Sequence, residues 1–202
     1  MEQMDQSSEL EALKTSPGFL LARHALVQWG GLLLVLCLFA AADSWQQLTG
    51  WGLAGTLAGI TGLIAGFGAV TVFHEWGHWL GAKVSGGRYT IPEGPGLFVY
   101  DWNFDSNSVR QFFIMSVGGN VGGLLALWYL ATSVATDSGG RAALVAGAVF
   151  SVVFAAVIEW PVLWRTRRSG EPLQELSQVG PAVLKRAGII GALAGLLVWV
   201  SV

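Results

Sequence analysis

Residues 51–80 read WGLAGTLAGITGLIAGFGAVTVFHEWGHWL. From Trp51 to Phe73 there is no ionisable side chain, and then His74, Glu75 and His78 arrive within five positions. A hydrocarbon core about 30 Å thick is crossed by roughly 20 apolar residues of helix, so this stretch is expected to span a membrane and to carry its polar cluster at one end. Glycines at positions 52, 55, 59, 62 and 66 follow a 3,4,3,4 spacing that lines one stripe of a helix. Membrane helices associate through packing of small residues, so a second helix is expected to approach along that stripe. The alternative is the general abundance of glycine in membrane spans.

The rest of the chain has the same character. Of 202 residues 53% are hydrophobic and 12% charged, and further apolar blocks occupy 27–42, 112–133, 142–164 and 182–202. The expected fold is therefore an all-α polytopic membrane protein, a bundle of about five transmembrane helices in one membrane-embedded domain over 18–202. Residues 1–17 are polar and read as a cytoplasmic tail, with a short helix over 8–14 that Pro17 would stop. They lack the apolar core and cleavage site of a secretory signal, so the first span is expected to be retained. No internal repeat or soluble accessory domain is apparent. A net charge of -2, with no basic cluster among exposed aromatics, argues against nucleic acid as a partner. The lone Cys37 rules out an intrachain disulfide and a four-thiolate zinc site. Lysine and arginine favour the cytoplasmic side, and placing the N-terminus inside leaves only Arg141 outside.

On an α-helix His74 and His78 lie one turn apart on the same face, so both imidazoles can reach one zinc at about 2.0 to 2.1 Å. Glu75 is turned about 100° from His74, poorly placed to ligate but well placed to take a proton from a water at the metal. The bare pattern arises by chance in roughly one chain per few hundred. Its membrane context sharpens it, since ionisable groups there cost about 2.5 to 3.5 kcal/mol each and usually mark function. A catalytic zinc takes a third protein ligand and keeps a fourth position open. His24 flanks the first span beside Arg23 and reads as an interfacial residue. Glu159 is the best third ligand, because the second and fourth spans run in the same direction and place it near the depth of the histidines. Pro161 is expected to kink the fourth helix and free Glu159 from regular geometry. Alternatively Glu159 snorkels to the interface or pairs with Arg165. Asp101, Asp105 and Glu171 are fallback ligands.

The stretch His74-Glu75-Trp76-Gly77-His78-Trp79-Leu80-Gly81-Ala82, trailed by Gly86-Gly87-Arg88, resembles the zinc helix of the site-2 protease family of intramembrane zinc metalloproteases. Gly118-Gly119-Asn120-Val121-Gly122-Gly123 is similar to that family's glycine-rich, asparagine-bearing segment. The order of elements is also similar: zinc helix, cytoplasmic loop with strands, glycine-rich helix, then a helix with the acidic ligand. Two departures stand out. The family usually supplies an aspartate in a break containing proline and glycine, where this chain has Ile158-Glu159-Trp160-Pro161, and the usual proline beside the asparagine is absent.

The resemblance implies one zinc per chain and a lipid-embedded enzyme that hydrolyses a peptide bond in or near a transmembrane segment of a membrane-protein substrate. Its site would lie near the cytoplasmic face, in a membrane expected to be prokaryotic. Asn120 would hold the unwound substrate or its oxyanion, or else serve as a helix-packing amide. The alternative function is a catalytically inactive pseudoprotease that binds and regulates a membrane partner. In the loop 86–110, residues 88–91 and 97–100 read as strands separated by Pro92-Glu93-Gly94-Pro95-Gly96. An edge strand there could take an extended substrate by β-addition, or the segment could be a simple surface hairpin.

Overall fold

A computed structural model describes residues 12–201, and in it the protein is an all-α polytopic membrane protein. Five helices are long and apolar enough to span: α1 (Pro17–Thr49), α2 (Gly52–Val84), α3 (Val109–Ser133), α4 (Gly139–Ser169) and α6 (Pro181–Ser201). The six-residue α5 (Pro172–Ser177), which the sequence did not suggest, links α4 to α6. The spans are mostly longer than their apolar blocks. The 33 residues of α1 measure about 50 Å, so its ends project beyond a bilayer core.

Local chemistry sets the helix ends. The short helix ends before Pro17, as expected, and Pro17 also opens α1: it sits in the first turn, and the Ser16 hydroxyl caps the Phe19 amide. Proline suits that position because the first-turn amides have no helical partner. The helix expected over 8–14 is present at 12–14, and its earlier part lies outside the described residues. Ser108 and Gln111 form a capping box at the start of α3, and Ser138 caps α4. Gly50 and Gly170 end α1 and α4 in the left-handed conformation, with φ of 66° and 74°.

The central helix is α2, packed against α1, α3 and α4, while α6 lies against α4. The glycine stripe is used in its inner half. A methyl group on Gly62 or Gly66 would collide with the α4 backbone at Gly140 or Leu144, whereas Gly52 and Gly59 face open space. On its other side α2 meets α3 through Gly77 and Gly81, opposite Gly118 and the backbone of Ile114 and Met115. These approaches let the polar side chains of three helices converge at one depth.

The two ends of the bundle differ. At one, buried Asp43 accepts hydrogen bonds from Arg141 Nε (2.9 Å) and Ser138 Oγ (2.8 Å), and Arg141 also reaches Asp137 (2.8 Å). At the other, the loop between α2 and α3 folds back over the bundle. Its sheet is smaller than expected: only Tyr89–Thr90 (β1) and Asp101–Trp102 (β2) pair, antiparallel, with Tyr89 opposite Trp102. Residues 97–100 are therefore not a strand, because their neighbourhood finds other partners. Gln28 on α1 donates to the carbonyls of Gly96 (2.8 Å) and Leu97 (2.9 Å), His24 Nε2 to Pro92 (3.2 Å), and Arg23 to Glu93. Val99 and Tyr100 turn inward to pack with Phe112, Met115 and Val162, while Leu97 and Phe98 stay exposed. His24, at the same end of α1, is 1% exposed and packed beneath this loop.

Candidate metal centre

One turn of α2 holds His74 and His78 with their rings edge to face, centroids 4.4 Å apart and Nε2 atoms 2.9 Å apart. Glu159 reaches them from α4, its Oε1 lying 2.7 Å from His74 Nε2 and 3.2 Å from His78 Nε2. Ligand atoms of these three residues all fall within 4.8 Å of one another. The helix carrying Glu159 continues through Pro161, so no break in the chain presents the carboxylate. Arg165 is occupied elsewhere: its Nε donates to Glu175 Oε2 at 2.7 Å. Pairing of Glu159 with Arg165 is thereby set aside.

The supporting contacts leave the right atoms free. His78 Nδ1–H donates to the Met115 carbonyl (3.0 Å), which puts the lone pair on Nε2, the atom facing His74 and Glu159. Glu159 uses its other oxygen, Oε2, to accept from Asn120 Nδ2 (2.8 Å). Asn120 Nδ2 also donates to the Ser116 carbonyl (3.0 Å), and its Oδ1 accepts from Trp160 Nε1 (2.8 Å). Gly119 gives the His78 ring its room, since a methyl group there would overlap the imidazole. Two imidazole nitrogens and one carboxylate oxygen, with His78 and Glu159 each oriented by a second hydrogen bond, match the donor set of a catalytic zinc with one open coordination position.

Glu75 is buried on the same turn and lines a cavity of about 360 Å³ together with His78 and Glu159. Phe98, Tyr100 and Asp101 close it from the loop, and Phe112, Met115 and Ser116 from α3. Burial, reinforced by the facing carboxylates of Glu75 and Glu159, pushes the Tyr100 phenol well above its ordinary pKa. Tyr100 thus remains a neutral O–H at physiological pH.

The structure brings His74, Glu75, His78, Asn120 and Glu159 together. Among the fallback ligands, Asp101 lines the cavity without joining the ligand cluster, and Asp105 and Glu171 belong to neither. Sequence reasoning missed Trp160, Tyr100 and the Met115 carbonyl. Trp160 stands beside Glu159 in sequence and could have been suspected, whereas a backbone carbonyl leaves no signal. Comparison with protein-family models, curated proteins and solved structures returned no match to this chain.

Proposed function

We propose that the protein is an intramembrane zinc metalloprotease that hydrolyses a peptide bond in or next to a transmembrane segment of a membrane-protein substrate. The observation that carries this reading is the convergence of His74, His78 and Glu159 from two spanning helices, with Glu75 beside them on a shared cavity. Zinc bound there supplies Lewis acidity, polarising the scissile carbonyl and making water a better nucleophile near neutral pH. Glu75 accepts the proton of the attacking water and passes it to the leaving amine. Asn120 and Trp160 hold Glu159 in place, so Asn120 acts through the ligand rather than on the substrate. Tyr100 offers a neutral donor toward the carbonyl oxygen as charge builds on it. The aromatic walls of the cavity limit bulk water, and the substrate must unwind locally because a helix hides its peptide bonds. Arginine and lysine are concentrated at the metal-site end, which supports a cytoplasmic position for the site and the N-terminus.

The test is zinc content and proteolysis measured together on purified protein reconstituted with a transmembrane substrate. The proposal expects one zinc per chain in wild type and in Glu75→Gln, with cleavage abolished in the variant. Zinc-free wild type with no cleavage would favour a pseudoprotease that binds its partner without cutting it.

A further inference from the structure

A second cleft, of about 470 Å³, opens between α4 and α6 at the same end of the bundle as the metal site. Its walls include Ile158, Val183 and Ile190, and its lip carries Arg165, Gln178 and Arg186. Arg165 and Gln178 both bind Glu175 Oε2, at 2.7 and 2.9 Å, so the charge of Arg165 is already matched. Arg186 differs: it is exposed, and no ion pair engages it among the described residues. Lys185, Arg167 and Arg168 lie at the same end of the bundle, with Glu171 and Glu175 in the connection from α4 to α6.

We infer that this cleft binds an anionic phospholipid, its phosphate against Arg186 and its acyl chains along the apolar walls. Charge selects the phosphate, because a basic lip between spanning helices is attractive to anionic headgroups. Position selects a lipid over a soluble phosphate compound, because the cleft lies between two membrane-spanning helices and its deeper walls are hydrocarbon. The cleft is separate from the cavity that Glu75 and Glu159 line, so this binding does not depend on the proposed protease activity.

The experiment titrates the full-length protein in detergent with phosphatidylglycerol or phosphatidylcholine and counts retained lipids by native mass spectrometry. One phosphatidylglycerol should be retained in preference to phosphatidylcholine. R186Q should bind it about five-fold more weakly, the effect of losing one basic contact at a membrane surface. Arg186 has no ion-pair partner to lose among the described residues, so this variant should fold normally, and the phosphatidylcholine titration verifies that it still takes up lipid. R88Q, which removes a basic residue at the same end outside the cleft, should leave the preference intact. Glycerol phosphate at equal concentration should fail to displace the lipid. Equal retention of the two lipids, unchanged phosphatidylglycerol binding by R186Q, or displacement by glycerol phosphate would each overturn the assignment.

Discussion

Asn120 donates its side-chain amide to Glu159 Oε2 at 2.8 Å, on the carboxylate oxygen opposite the one that meets both histidines. The carboxylate is thereby held at both ends, by α3 on one side and α2 on the other. Trp160 completes the restraint by donating to Asn120 Oδ1, which fixes which way the amide faces. A ligand oriented in this way loses less freedom when it binds a metal, and such outer contacts typically account for 10- to 100-fold in affinity.

Asn120→Ala should therefore weaken zinc binding by about 10- to 100-fold while leaving the helical content unchanged. Trp160→Phe should have a smaller effect in the same direction, because the amide keeps its contact with Glu159 but loses its orienting donor. Competition with a chromogenic chelator measures both without any assay of proteolysis.

Ligand and base substitutions should separate cleanly. His74→Ala and Glu159→Ala should be isolated without stoichiometric zinc, as read by elemental analysis. Glu75→Gln should keep its zinc and lose cleavage by about 10²- to 10⁴-fold, the usual contribution of general acid–base catalysis. Zinc retained by Glu159→Ala would remove it from the ligand set.

Glycine substitutions provide a test of packing. Gly119→Ala places a methyl group on the His78 ring and Gly66→Ala places one on the α4 backbone at Leu144, so each should destabilise the protein by about 1–3 kcal/mol. Gly119→Ala should also lower zinc content. Gly59 faces open space, and Gly59→Ala should be neutral or slightly stabilising, since alanine is the better helix former. Thermal unfolding in detergent ranks the three.

Acid should loosen the link between α4 and α6 through Glu175, whose carboxyl is held below its ordinary value of 4.5 chiefly by the hydrogen bond from Arg165. A carboxylate with a depressed pKa contributes stability that is present above the unfolded value and is lost as pH falls through the folded one. The difference in melting temperature between wild type and Glu175→Gln should therefore be constant from neutral pH to about 4.5 and shrink below it. A difference that stays constant down to pH 3 would show that the Arg165 pairing does not matter for stability.

Much of the protein was legible in sequence because the relevant signals are local. A charge-free apolar run finds a span without knowledge of its neighbours, and two histidines four residues apart share a helix face wherever that helix sits. Five spans, the His74–Glu75–His78 turn and the slim face of α3 were readable for this reason. Other features depended on which helices meet and at what height. Tertiary packing alone brought Glu159 to the histidines through an unbroken helix, paired Arg165 with Glu175 instead, turned Asn120 toward Glu159, and used only part of the α2 glycine stripe. It also tied the loop to Arg23, His24 and Gln28, leaving residues 97–100 without a ladder. Periodicity along one chain reports which residues share a face, and the partner of that face is fixed only when the backbones close to contact distance.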